Sequence, residues 1–335
     1  MKITVKELAK LSGYSVGTVS MALNNNPKIN EKTRKKIQQL IKEYDYTISQ
    51  SARRLSTQRS GIIGVLTTNN NNPFFSDLAF ELNNCISSTE YTMLLGFSND
   101  DRKLEEKFIR MMVANEVEGL IIVPMDEQQK GEQISYLQAR NIPVVMATST
   151  YRGISADSVM TDLEYGEFIL VDHLLKTGRR RIAFINGSLQ VVHFDMREKG
   201  YLQAHEINSV SVDQGLLFES HLNFSSGYDI TDRVLEAHPD AIITANDFLA
   251  FGVMNRLLEL GIDVPGSIAV AGYDDIFLSK LSYKPLTTVR QPVAQIASES
   301  LRLLINQINS KKEGNELVEN NIYLEPELVL RSTTP

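Results

Sequence analysis

Val5-Lys-Glu-Leu-Ala-Lys-Leu-Ser-Gly-Tyr-Ser-Val-Gly-Thr-Val-Ser-Met-Ala-Leu-Asn24 is the stretch on which the fold of the N-terminal part turns. It is preceded by Thr4, and Thr4 with Glu7 has the form of a capping box, in which hydroxyl and carboxylate satisfy each other's backbone N–H groups. Val5, Leu8, Ala9 and Leu11 then recur at helical spacing until Gly13 breaks the run. Ser15 can cap a second helix carrying Val16, Val19, Ala22 and Leu23, which Asn24-Asn-Asn-Pro27 stops. A third helix follows Asn30, with Ile37, Leu40, Ile41 and Tyr44 expected on its buried face. Two short helices joined by a tight turn and braced by a third make a helix-turn-helix.

Charge says what such a head would meet. Residues 1–60 hold twelve Lys/Arg against four Asp/Glu, a balance of +8. The rest holds 22 against 37, or −15, which the overall charge of −7 conceals. A basic head on an acidic body points to a polyanion. In a helix-turn-helix the second helix enters the major groove by its N-terminal end, which would bring Val16, Gly17, Thr18, Ser20 and Met21 to base edges. The hydroxyls can bond phosphates or bases, whereas Val16 and Met21 can meet only apolar groups such as a thymine methyl. Residues 46–60 are polar and basic with little to bury, the composition of a linker.

The remaining 275 residues alternate short apolar runs with amphipathic stretches. The expected strands are 62–68, 91–97, 119–123, 143–147, 181–186, 241–245 and 268–272, and 104–117, 165–177 and 248–260 are among the helical stretches between them. This rhythm predicts parallel α/β sheets with helical crossovers, and the length suits two lobes. Ligands of such sheets bind at the carboxyl ends of strands. The loop after the first strand, Thr67-Thr-Asn-Asn-Asn-Asn-Pro-Phe-Phe75, has no glycine, so a phosphate-cradling loop is not indicated. An amide beside two aromatic rings suits a neutral polyhydroxy ligand; an asparagine-rich turn ahead of core phenylalanines has the same pattern.

The quoted stretch, with Thr33-Arg-Lys-Lys-Ile37 and Tyr46, resembles the start of lactose/galactose-repressor (LacI–GalR) family regulators. Met21 stands where the family usually has arginine, and Ile48-Ser49 where it has proline and asparagine. Asn71-Asn-Pro-Phe-Phe75 is similar to the sugar-contacting segment of ribose-binding proteins. Asp162, Arg197-Glu-Lys-Gly200, Asn246-Asp247, Gly272-Tyr-Asp-Asp275 and Thr287-Thr-Val-Arg-Gln-Pro292 follow in family order. The resemblance implies an all-α helix-turn-helix domain at 1–45, a hinge at 46–60 that folds on DNA, and a two-lobed periplasmic-binding-protein-like body at 61–335 that binds effector and dimerises. It implies operator contacts from Thr4, Ser15, Val16, Gly17, Thr18, Ser20, Met21, Asn24 and Arg53, with Leu55 wedged into the minor groove. It also implies effector contacts from Asn72, Phe74, Phe75, Asp162, Arg197, Asn246, Asp274 and Gln291. Leu222 occupies the place where many members stack an aromatic on the sugar, with Phe75, His221 or Phe224 available to compensate.

Other chemistry is poorly supported. His173, His193, His205, His221 and His238 lack metal-ligand spacing and are expected at the surface or in packing. There is no nucleophile elbow, and Cys85 has no histidine near it in sequence. The lone cysteine, the absent secretory signal and the lack of an apolar run of membrane-spanning length predict a cytoplasmic protein that is neither an enzyme nor a membrane partner and that uses no cofactor or metal. The expectation is a homodimeric, sugar-responsive transcriptional regulator that acts as a repressor; the alternative is a cytoplasmic sugar receptor without regulatory DNA binding.

Overall fold

The structure is a computed structural model and describes residues 3–23, 26–44, 46, 59–68, 72–124, 131–151, 153–188, 191–313 and 319–335. The chain divides into two units, Met1–Gly61 and Ile62–Pro335.

In the first unit the helices are α1 (Val5–Ser12), α2 (Val16–Leu23) and α3 (Glu31–Glu43). The capping box at Thr4 forms in full, and Gly13 ends α1 at φ 77°, a left-handed position that glycine takes without penalty. Ser15 Oγ accepts from Thr18 N at 3.1 Å at the start of α2, and Asn30 Oδ1 accepts from Thr33 N at 2.8 Å at the start of α3. Leu8, Ala9, Val19, Ala22 and Ile37 close a small core. Tyr44 does not belong to it: the residue is exposed, and the ring that completes the core is Tyr46, two positions on, where the chain has left the helix.

The second unit is built on two six-stranded sheets. Strands β1 (Ile62–Thr67), β2 (Thr92–Phe97), β3 (Gly119–Ile122), β4 (Val144–Ala147), β5 (Asp157–Thr161) and β11 (Asn321–Leu324) form one, in the order β11-β5-β4-β3-β1-β2, all parallel. Strands β6 (Ile182–Asn186), β7 (Leu217–Glu219), β8 (Ala241–Thr244), β9 (Ala269–Asp274), β10 (Thr287–Arg290) and β12 (Glu327–Val329) form the other, in the order β12-β10-β9-β8-β6-β7. Only its edge strand β12 runs antiparallel, against β10. Strands such as β1, β3, β6 and β8 are buried along their whole length, because crossover helices cover both faces of each sheet. Each lobe accordingly has a hydrophobic core on either side of its sheet.

The chain passes from the first lobe to the second after β5, returns after β10 into the long helix Val293–Glu313 and β11, and passes over again to β12. Two helix pairs in the second lobe pack through glycine. A Cβ on Gly200 would lie 2.1 Å from the Glu164 carbonyl oxygen, and one on Gly252 would lie 2.1 Å from that of Phe224.

Candidate functional site

A cavity of about 440 Å³ lies between the two lobes of the second unit. Its walls are the carboxyl ends of strands from both sheets: Thr68, Pro124 and Ser149 from one lobe, Ser188, Asn246 and Asp274 from the other. This is where an open parallel sheet presents loop residues and helix N-termini to a ligand.

Asn72 caps the helix Pro73–Ser87, its Oδ1 accepting from Phe74 N at 3.1 Å, and lines the cavity. Phe74 and Phe75 follow it on the wall with their rings edge to face, 5.2 Å apart. Asn246 caps Asp247–Glu259 through a bond from Leu249 N and donates to the Leu222 carbonyl, so its amide is already committed on both sides. Leu222 lines the cavity. Of the three candidates to compensate for the absent aromatic there, Phe75 and His221 are on the wall, whereas Phe224 is exposed and starts the helix Phe224–Leu235. Asp162 departs from its expected place. Its carboxylate accepts from Tyr165 N at 2.9 Å and caps the helix Leu163–Lys176, and the cavity wall is formed by Leu163 instead.

Asp274 ends β9 with φ at 109°, a backbone region costing roughly 1–3 kcal/mol for a residue with a side chain. Neighbours hold it there. Gln291 Nε2 donates to its Oδ1 at 2.7 Å, Gln291 Oε1 accepts from Thr161 Oγ1 at 2.7 Å, and Asn72 gives it a further side-chain bond. The carboxylate is thus tied to the opposite lobe both directly and through the crossing at Gln291. Burial pushes its pKa up to about 6, against the opposing pull of Arg197 and these two amides. Asp275 turns away to Arg290, at 2.7 Å, and to Arg331, so the adjacent acids do not form a pair.

Arg197, on the helix Val192–Ile207, lines the cavity although it is only 4% exposed. Its guanidinium lies over the Tyr273 ring, 3.5 Å from the centroid. Behind it, Nη1 is 3.8 Å from Oε2 of Glu167, which is itself fully buried.

Sequence spacing did not reveal two further wall residues. Ser149 Oγ and His193 Nδ1 meet at 3.1 Å, a second polar contact between the lobes. Burial first and then Arg197 push the His193 pKa down to about 3, so the imidazole is neutral at physiological pH. Neither residue sits in a motif; the signal is their position just past a strand end and at the start of a helix, 44 residues apart. What this arrangement offers chemically is a pocket with phenylalanine rings from both lobes, Phe74 and Phe75 on one and Phe194 on the other, and around them amides, hydroxyls, one guanidinium and the carboxylates of Asp274 and Asp100. These groups can cover the C–H face of a polyol and bond its hydroxyls from both lobes.

The head residues expected at DNA divide differently. Ser15, Val16, Gly17 and Met21 are exposed, and Thr18 and Ser20 are half-buried beside them. Val19 and Ala22 face the core. Thr4 is exposed but engaged with Glu7. Asn24, Arg53 and Leu55 lie outside the described residues. Among the described residues, no cluster of His, Cys, Asp or Glu is arranged to hold a metal ion, and no helix is long and apolar enough to cross a membrane.

A family model described as "Bacterial regulatory proteins, lacI family" matches residues 4–49, and one described as "Periplasmic binding protein-like domain" matches residues 171–334. The HTH-type transcriptional regulator DegA of Bacillus subtilis is 29% identical over 100% of this chain and 98% of its own. The HTH-type transcriptional repressor PurR of Vibrio atlanticus is 29% identical over 98% of each. Among solved structures, the lac repressor dimer bound to operator and the anti-inducer ONPF superposes with a TM-score of 0.85 at 26% identity, covering 100% of this chain and 99% of that one. A LacI family transcriptional regulator from Enterococcus faecium with bound ribose gives 0.72 at 26% identity, covering 82% of this chain and 98% of that one.

Proposed function

Since this chain belongs to the lacI family of bacterial regulatory proteins, we propose that its residues 1–45 read an operator half-site and its interlobe cavity holds the controlling effector. The chain is a DNA-binding transcriptional regulator under small-molecule control, and it works as a dimer, since one helix-turn-helix reads one half-site of a near-palindromic operator. The division at 1–45, 46–60 and 61–335 assigns DNA to the head and hinge and effector to the body. Cytoplasmic residence and the absence of catalysis belong to the same proposal.

The observation that carries the effector assignment is the cavity wall. Asn72, Ser149 and Phe75 come from one lobe and Arg197 and Asp274 from the other, so a ligand in contact with both sets favours one lobe arrangement over others. A ligand shifts such an equilibrium only by its differential affinity, typically about 1–3 kcal/mol of coupling. The wall favours a sugar or sugar derivative, the class of ligand named for the ribose-bound relative. A thermal-shift screen of sugars and sugar phosphates tests this. A true effector at 100 times its Kd stabilises the body by roughly 2.7 kcal/mol. The same compound must change operator affinity. A sugar that stabilises the protein, with no duplex bound under any condition, would support a sugar receptor instead.

A further inference from the structure

Behind Arg197 the second lobe buries a group of polar atoms that satisfy one another poorly. Both carboxylate oxygens of Glu167, Nε and Nη1 of Arg197 and the Tyr273 hydroxyl are buried, and none has a hydrogen-bond partner among the described residues. Buried polar atoms are nearly always bonded, so five together mark a place where something moves or binds. The geometry is that of a pair short of contact. Nη1 and Oε2 stand 3.8 Å apart, about 1 Å beyond a charge-assisted hydrogen bond, with the guanidinium stacked on Tyr273.

Resting on the assignment of the cavity as effector site, we propose that Glu167 is a specificity-determining residue that acts through Arg197. As a carboxylate it closes on the guanidinium, and the cavity then takes uncharged polyhydroxy effectors. As the neutral acid it leaves the guanidinium free to hold an effector with an anionic group, and the proton comes from solvent as the anion binds. Burial raises the Glu167 pKa to about 8, opposed by Arg197, so both forms are within reach near neutral pH. The groups around it are few. Arg197 faces it from the helix Val192–Ile207, with His193, held neutral, one turn earlier. Strand β9 contributes the Tyr273 phenol and, beyond it, Asp274. Asp162 and Glu164 precede it on its own helix, and on the strands β10 and β12 packed there Arg290 and Glu327 bond each other at 2.6 Å.

Sulfate tests this in the full-length protein, because its charge is constant from pH 6.5 to 9. The relevant signal is the part of sulfate binding that Arg197→Gln abolishes, which sets aside anion sites on the basic head. In the wild type this affinity should fall with rising pH, by up to about tenfold per unit once Glu167 is ionised. In Glu167→Gln it should keep its low-pH value throughout. A flat wild-type profile, an equal fall in Glu167→Gln, or no Arg197-dependent sulfate binding would overturn the proposal. Should Glu167→Gln not fold, calorimetry of the wild type at pH 8.5 in two buffers of different ionisation enthalpy serves instead. Uptake approaching one proton per Arg197-bound sulfate supports the proposal, and no uptake refutes it. If sulfate behaves as stated while no sugar or sugar phosphate alters operator binding, the effector assignment fails and the role of Glu167 stands. Sugar-driven changes in operator binding with a pH-flat sulfate profile refute the role of Glu167 alone.

Discussion

Asp274→Ala should separate ligand recognition from DNA recognition. The carboxylate is 7% exposed and faces the cavity, where its two oxygens can accept from two sugar hydroxyls. A hydrogen bond to a charged group is worth about 1.5–3 kcal/mol, so losing two at the low end removes about 3 kcal/mol of effector affinity. At 1.4 kcal/mol per decade, Kd rises by about 100-fold. Folding should suffer much less. Alanine inherits the same φ of 109°, and the Gln291 and Asn72 amides freed by the change face a cavity that water can enter. The variant also sheds a carboxylate whose ionisation burial already opposes. Calorimetry with the sugar found by screening gives the affinity, and fluorescence anisotropy with labelled operator gives DNA binding. Sugar affinity within threefold of wild type would place the ligand elsewhere, and a folded variant that loses operator binding without sugar would make Asp274 part of the framework that couples the lobes to the head.

Five other expectations stand beside it. Effector affinity should weaken as pH drops through about 6, where Asp274 takes up a proton and stops accepting two hydroxyls, and titrations at pH 5 and 7.5 check this. The raised pKa also means that the folded state binds this proton more tightly than the unfolded state, so the Asp274 contribution to stability is present below its ordinary value of 3.8 and is lost as pH rises to about 6, a trend that Asp274→Ala should flatten in a Tm-against-pH series. Gly200→Ala must push apart two helices whose backbones already touch, costing about 1–3 kcal/mol and lowering Tm, and an unchanged Tm would contradict the contact. Operator affinity should fall steeply with salt, on the order of six to ten counterions per dimer, and Met21→Arg should change the selected sequence more than non-specific affinity, since Met21 is exposed on α2.

Much of the fold was legible because it rests on local signals. Thr4 with Glu7, Ser15 and Asn30 mark the three head helices by hydrogen bonds made within one turn. Each of the seven apolar runs in the body coincides with a strand. The unread strands are β5, β7, β10, β11 and β12. They are three to five residues long, and runs such as Asp157-Ser-Val-Met-Thr161 and Thr287-Thr-Val-Arg290 carry polar side chains that other segments satisfy. Asp157 shows how: Gln307 Nε2 and the Asn320 N–H, some 150 residues away in sequence, hold its carboxylate. Among the anticipated site residues, most of the body set reaches the cavity, but Asp162 is used as a helix cap, which the same residue type in the same place allows. Ser149, His193 and Glu167 could not be found by spacing, because their partners are brought to them only by packing between helices or across the lobes.

In the proposed mechanism, occupancy of the interlobe cavity sets DNA affinity. Its most direct measurement is an anisotropy titration of operator with wild type and Asp274→Ala, with and without the identified sugar at about ten times its wild-type Kd, where a variant about 100-fold weaker stays nearly empty. The sugar should shift wild-type operator affinity by about 5- to 150-fold, the range of 1–3 kcal/mol of coupling, and leave the variant nearly unmoved at the same concentration. An equal shift in both proteins, or none in the wild type with the cavity demonstrably occupied, would contradict it.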